Sequence, residues 1–425
     1  MAADLDETTA GYNELVKKDN GDLVDGKGWN PIGEYSDAFL SDNGKFTGIF
    51  NGLGNSISGL VIHRETENYV GLFSYNEGTI KKTVLDTSDV EGDKYVGVLV
   101  GANKGNITNV NITGVVDATE YVGGLVGVNY GTVEKSQANV ELVCDSEFAG
   151  GLIGNNQGEV EDSTSSGYVA GDYKIGGLVG VNSYEGHGLI TGCSSDAEVE
   201  GALSVGGLVG SNINAEISNS HATGSVDGER NIGGLVGKNN SASISSSYAT
   251  GNVTADIIEA RVYVGGLVGY NINTEILDSY ATGDVIGYSA CGGLIGNNSN
   301  GTLRNSYAVG SVTGYASIGG LIGYTYGEVI EYCYSRGLVS GTGSYIGGLI
   351  GRNYNNTTYG ISTITNNYYD SDTTQQTDTG KGLPRSTTQM QEGIADSTIE
   401  GENMYVDWEN TIWDFGTVSE YPKLK

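Results

Sequence analysis

The feature that most restricts this chain is a short glycine-rich core that returns about every 27 residues. It opens as Val-Gly-Leu-Phe around Gly71 and Val-Gly-Val-Leu-Val-Gly around Gly97. It then settles into Gly-Gly-Leu-Val/Ile-Gly beginning at Gly123, Gly150, Gly176, Gly206, Gly233, Gly265, Gly292, Gly319 and Gly347. Successive starts differ by 26, 26, 27, 26, 30, 27, 32, 27, 27 and 28 residues. The two longest steps carry insertions, Tyr184-Glu185-Gly186 and the stretch from Asp256 to Arg261, as loops on one face of a stacked array would. A unit of this size cannot bury a core alone, so the units must stack on one another. A propeller blade takes about 40 residues, so a repeat near 27 supplies one coil. The repeats hold short β-branched runs punctuated by Gly and Asn, with no helical period. The predicted fold is all-β: a single-stranded parallel β-helix (β-solenoid), each coil pairing with the next at about 4.8 Å.

Positions within the repeat assign faces. With the first Gly as position 0, position 6 is Asn at Asn103, Asn129, Asn156, Asn182, Asn212, Asn239, Asn271, Asn298 and Asn353, with Thr325 the exception. Asn accepts the left-handed backbone that a tight turn needs, and identical amides stacked coil on coil can hydrogen-bond in a ladder. Position 20 is Val199 (after the insertion is subtracted), Val226, Val253, Val285, Val312 and Val339. Stepping back by twos gives Gly, Ala, then Ser or Cys, a small row predicted to face inward. The alternate row then faces solvent and carries His221, Tyr248, Tyr280, Tyr307 and Tyr334 at position 15. That column is the candidate binding surface, because flat aromatic faces stack on the apolar faces of sugars. Positions 2 and 3 are both apolar, as in Leu125-Val126 and Leu267-Val268. A bend at the following Gly is expected to return both to the core.

The ends depart from the repeat. Residues 1–60 are predicted to be an N-terminal cap with an aromatic plug around Trp29, Phe46 and Phe50. Residues 61–365 form the solenoid. Residues 366–425 form a C-terminal cap in which Trp408, Trp413, Phe415 and Tyr421 close the last coil. The stretch from Met1 to Asp6 lacks the charged start and apolar core of a signal peptide. Export by another route, or a mature fragment with an added Met, is therefore expected.

Lys and Arg number 21 against 52 Asp and Glu, a net charge of −31. Such a chain repels phosphate backbones and anionic lipid, which argues against nucleic-acid partners. No apolar run reaches the length of a membrane-spanning helix, so no membrane insertion is expected. Cys144, Cys193, Cys291 and Cys333 fall in different coils. Five repeats, roughly 24 Å at 4.8 Å per coil, separate the two that share a position, Cys193 and Cys333. A disulfide needs Cα atoms within about 7 Å, so four free buried thiols are predicted.

Catalytic sets are not recognisable. His63, His187 and His221 have no metal-ligand spacing to one another, and the H-E-x-x-H pattern is missing. The chain is read as a non-enzyme without cofactors. The acidic loop Asp370-Ser371-Asp372 with Asp378 is the Ca²⁺ candidate, oxygen-rich as that ion requires. Lys381 stands where an EF-hand would place its bidentate Glu, so a solvated loop without metal is the expectation.

The Phe-Thr-Gly-Ile-Phe-Asn-Gly opening, the Gly-Gly-Leu-Val-Gly units with Ser-Tyr-Ala-Thr-Gly, and the closing Trp-Asp-Phe and Tyr-Pro-Lys-Leu resemble the GLUG-repeat family over almost the whole chain. Members are mostly bacterial and archaeal surface proteins, including adhesin-like proteins and stalks of some immunoglobulin A peptidases. The resemblance implies an extracellular or cell-surface β-helical module for adhesion or display, with surface glycans or cell-surface proteins as partners. It carries over no catalytic residue. The alternative expectation is a glycan-binding or glycan-cleaving viral fibre.

Overall fold

The computed structural model describes residues 3–6, 9, 15–16, 23–33, 44–183, 188–255, 261–355, 362–378, 381–392, 404–405, 407–415 and 419–425. Both insertions fall outside these residues, except Arg261, and so does His187. The chain divides into two compact units, Met1–Ser225 and Val226–Lys425. Each is a parallel β-solenoid with about one 27-residue repeat per coil.

In the first unit, one ladder runs through Phe73–Asn76, Val100–Asn103, Val126–Asn129, Ile153–Asn156, Val179–Asn182 and Val209–Ile213, each strand parallel to the next. The facing side is built from long bent strands, Thr79–Gly97, Asn106–Gly123, Gln137–Gly150 and Thr164–Gly176, also in parallel register. In the second unit the first ladder continues the same design through Val236–Asn240, Val268–Ile272, Ile295–Ser299, Ile322–Tyr326 and Ile350–Asn353. The facing side breaks into shorter pieces, such as Glu275–Leu277, Tyr280–Ala281, Val285–Ile286 and Ser289–Gly292.

The Gly-Gly-Leu-Val core makes a sharp corner. A Cβ on Gly123 would lie 2.1 Å from the Val126 carbonyl oxygen, so only glycine fits there. The bend falls at the second Gly and the Leu that follows it, Gly124-Leu125 and Gly266-Leu267, between the two strands. It turns both apolar side chains inward: Leu125, Val126, Leu267 and Val268 are fully buried. The predicted inward row holds as well, with Ser279, Ala281 and Val285 each 0 % exposed. All four cysteines are buried and free. Burial pushes the thiols of Cys193, Cys291 and Cys333 up to about 12.

The asparagine ladder forms, for a different local reason than the turn argument supposed. None of its members has a left-handed backbone; those residues lie elsewhere, for example at Asn214, Asn273 and Asn300. Instead each buried side chain bonds along the stack. In the first unit Asn76, Asn103, Asn129, Asn156, Asn182 and Asn212 are joined Nδ2 to Oδ1 at 2.7–2.9 Å. In the second, Asn239, Asn271 and Asn298 are joined at 2.8–2.9 Å. The same amides bond the backbone two residues on, as Asn76 Oδ1 accepts from the Gly78 N–H. The ladder thus closes the turn through the side chain.

Candidate functional site

The tyrosine column exists as a geometric object, but the structure corrects its expected exposure. Tyr248, Tyr280, Tyr307 and Tyr334 lie in parallel register in the second unit. Their rings stack face to face with centroids 4.8, 4.9 and 5.0 Å apart and planes within 9°. One coil step matches the centroid separation of offset-stacked rings, so each ring occupies the faces of its neighbours. Little flat surface is left for a sugar. Tyr307 and Tyr334 are also buried, at 8 % and 1 % exposure.

The C-terminal segment is what covers them. Trp413 packs 6.1 Å from both rings, and Tyr421 lies over Tyr334. The Tyr334 hydroxyl donates to the Pro422 carbonyl at 2.7 Å. Trp408 and Tyr405 reach Tyr368, the next member of the register. The terminal aromatics therefore seal the flank of the last coils. His221 belongs to the first unit, opposite Ser194, where burial pushes its pKa down.

The carboxylates of the calcium candidate are engaged within the protein. The Asp370 carboxylate is buried and accepts from the Asp372 and Thr373 N–H groups, the Thr387 hydroxyl and the Tyr421 hydroxyl. It caps a one-turn helix, Ser371–Thr374, and ties it to the terminal segment. Asp372 accepts from the Thr387 N–H, and Asp378 accepts from the Gly348 N–H. Asp370 and Asp372 thus share Thr387 as a donor, while Asp378 is held by Gly348.

A second aromatic stack, unforeseen in the sequence, runs through the first unit. Tyr69, Tyr95, Tyr121 and Phe148 stand two residues before successive repeat cores, with centroids 4.6–4.8 Å apart. Lys174, next in the series, sets its ammonium 4.1 Å from the Phe148 centroid. All five have a left-handed backbone, with φ between 58° and 67°. That conformation is strained for bulky residues, and the stacking helps to offset it.

An open concave feature of the first unit lies on its long bent strands. A trough of about 720 Å³ crosses four coils. Its floor is Ser88, Gly114, Val140 and Gly167, which are in register coil by coil. Gly167 has φ +100°, and a Cβ there would lie 2.2 Å from the Val140 carbonyl oxygen. The floor is bare at that point because the backbone admits nothing else. One wall is Thr87, Thr113 and Asn139. The other is Asp89, Val115, Glu141 and Tyr168, again in register. Val115 is 45 % exposed. Tyr168 donates to Glu200 at 2.7 Å, and that bond, with burial, pushes its phenol up to about 12. At the Asp89 end, His63 Nε2 lies 3.0 Å from Asp89 and 3.8 Å from Glu91. This wall is written in the sequence as Asp89, Val115, Glu141 and Tyr168 at steps of 26, 26 and 27 residues. It escapes a sequence reading because the column mixes two carboxylates with an aliphatic and an aromatic residue, so no one residue type repeats.

The fold is a parallel β-solenoid, and three of its repeats carry the GLUG motif. Three consecutive repeats, residues 201–227, 228–254 and 260–286, match the family model described as the GLUG motif. The chain is similar to Halomucin of Haloquadratum walsbyi, 31 % identical over 115 residues, which is 26 % of this chain and 1 % of that protein. It is also similar to a sequence described as a Gly-rich membrane protein of Evansella cellulosilytica, 42 % identical over 79 residues, 19 % of this chain and 8 % of that one. The matched segments thus span a small part of both relatives. A solved structure described as an immunoglobulin A1 protease from Bacteroides ovatus aligns over 100 % of this chain and 84 % of its own. Its identity is 16 % and its TM-score 0.30, too low to carry a functional argument. Among the described residues, no helix is long and apolar enough to cross a membrane.

Proposed function

We propose that this chain is a non-catalytic extracellular surface module that binds an extended neutral glycan along the trough of its first unit. The trough is the observation that carries the reading. Its four coils make three steps of about 4.8 Å, or about 14 Å, the length of a short oligosaccharide. Hydroxyls and an amide line one wall. Carboxylates alternate with Val115 and Tyr168 on the other. That mixture suits a ligand with hydroxyls around an apolar face. The charge of −31 disfavours anionic polymers and leaves neutral ones. The GLUG repeats and the surface-type relatives support the placement outside the cell.

Affinity electrophoresis through gels containing neutral polysaccharides tests this. Retardation of the native chain should be lost in Val115→Lys and kept in Tyr248→Ala. Equal retardation of Val115→Lys and the native chain would remove the trough from consideration. A second reading, cleavage, rests on Asp89 and Glu141 sharing one wall two coil steps apart, about 10 Å. That is at the outer edge of the roughly 6.5–9.5 Å used by inverting glycoside hydrolases. Release of reducing ends by the pure chain would replace the binding reading with this one.

A further inference from the structure

We infer that His63, Asp89 and Glu91 form a binding site for a first-row divalent transition-metal ion of the Zn²⁺ type. The site is a product of register. His63, on the strand Val61–Arg64, pairs with Glu91 on the next coil, and Val61 pairs with Asp89. Residues two apart on a strand share a face, so the imidazole and both carboxylates project to the same side. Their donor atoms all lie within 4.8 Å of one another.

The separations fit a small ion. With metal–ligand bonds of about 2.1 Å, neighbouring donors stand about 3.0 Å apart in an octahedron and about 3.4 Å in a tetrahedron. His63 Nε2 is 3.0 Å from Asp89 Oδ2 and 3.8 Å from Glu91 Oε1. A rotation of the Glu91 side chain, itself half-buried, would carry its carboxylate toward the other two donors.

Donor type selects the metal. An imidazole nitrogen suits Zn²⁺, Cu²⁺ or Ni²⁺ ahead of Ca²⁺ and Mg²⁺, which take oxygen donors. Charge selects its valence. Two carboxylates beside a neutral imidazole carry −2, which one dication cancels. Asp117, exposed and in register with Glu91 on the following coil, adds negative potential nearby. Arg64 is engaged elsewhere, on Glu67 and the Trp29 carbonyl. Three partly exposed ligands leave coordination positions open to water or to a ligand. Asp89 also lines the trough, but the site stands or falls without the glycan reading.

The test uses the full chain, stripped with chelator and held in about 0.15 M salt with excess Mg²⁺ to suppress diffuse binding. Calorimetry with Zn²⁺ should show one site per chain, weakened at least about tenfold in both His63→Gln and Glu91→Gln. The chain has three histidines, so a readout without variants exists as well. Substoichiometric Co²⁺ should shift or broaden the His63 imidazole resonances and leave the other two histidines unchanged. Equal affinity in the native chain and both variants would overturn the site. So would Co²⁺ effects on all three histidines or on none.

Discussion

At the scale of single residues, the side chain most at odds with its surroundings is Glu328. It is 2 % exposed, and its carboxyl pKa is raised by burial, partly offset by the Ser362 and Thr325 hydroxyls. It sits just past Thr325, where the asparagine ladder is interrupted and the Asn298 amide nitrogen has lost its acceptor. A raised carboxyl pKa means that the fold favours the protonated form more than the unfolded chain does. Its contribution is fully present below the unfolded value and is lost as pH rises through the folded value. Glu328→Gln is therefore expected to stabilise the chain at pH 8, by about 1 kcal/mol or more, with the gain vanishing near pH 4. Urea melts at the two pH values check this, and a gain that persists unchanged in acid would show that charge is not the cause. Nothing in the local sequence Tyr-Gly-Glu-Val marks this Glu as buried. Its burial follows from its column: Ala242, Thr274 and Gly301, at the same place in the preceding coils, are buried as well.

At the scale of the elements, the asparagine ladder and the ring stacks follow one rule: a column of identical groups at coil spacing satisfies itself. In the ladder this means hydrogen bonds. Asn271 is fully buried, accepts from Asn239 and donates to Asn298. Asn271→Ala strands a donor on one side and an acceptor on the other, at an expected cost of about 2–4 kcal/mol in chemical denaturation. A loss below about 0.5 kcal/mol would mean the amides contribute little beyond filling space. In the tyrosine column the same rule means that faces are used up internally. The position-15 row is legible from alternation, but its fate is not. Stacking and the cover of Trp408, Trp413 and Tyr421 depend on where a distant segment docks. Asn76 escapes the sequence pattern for a simpler reason. It stands one residue closer to Gly71 than Asn103 does to Gly97, and only the strand register pairs the two asparagines.

At the scale of the whole molecule, charge outweighs every other surface effect. Ion pairs such as Lys94–Glu120 and Arg304–Glu331 lie at the surface, where water and salt screen them. They cannot offset the self-repulsion of a net −31. The melting temperature should therefore rise between about 0.01 M and about 1 M NaCl, as the screening length falls from about 30 Å to about 3 Å. A rise of at least about 2 °C is expected, with KCl acting alike. A flat or falling midpoint would show that the ion pairs outweigh the repulsion. What the amino-acid order determined by itself was the coil: its length, its glycine corner, its inward row, its amide ladder and the isolation of its cysteines. Those features repeat, and a period can be read from one dimension. The trough wall, the His63–Asp89–Glu91 cluster and the covered tyrosines were decided only in three dimensions. Each joins unlike residues from different coils, or from a coil and the C-terminal segment, and unlike residues leave no period to read.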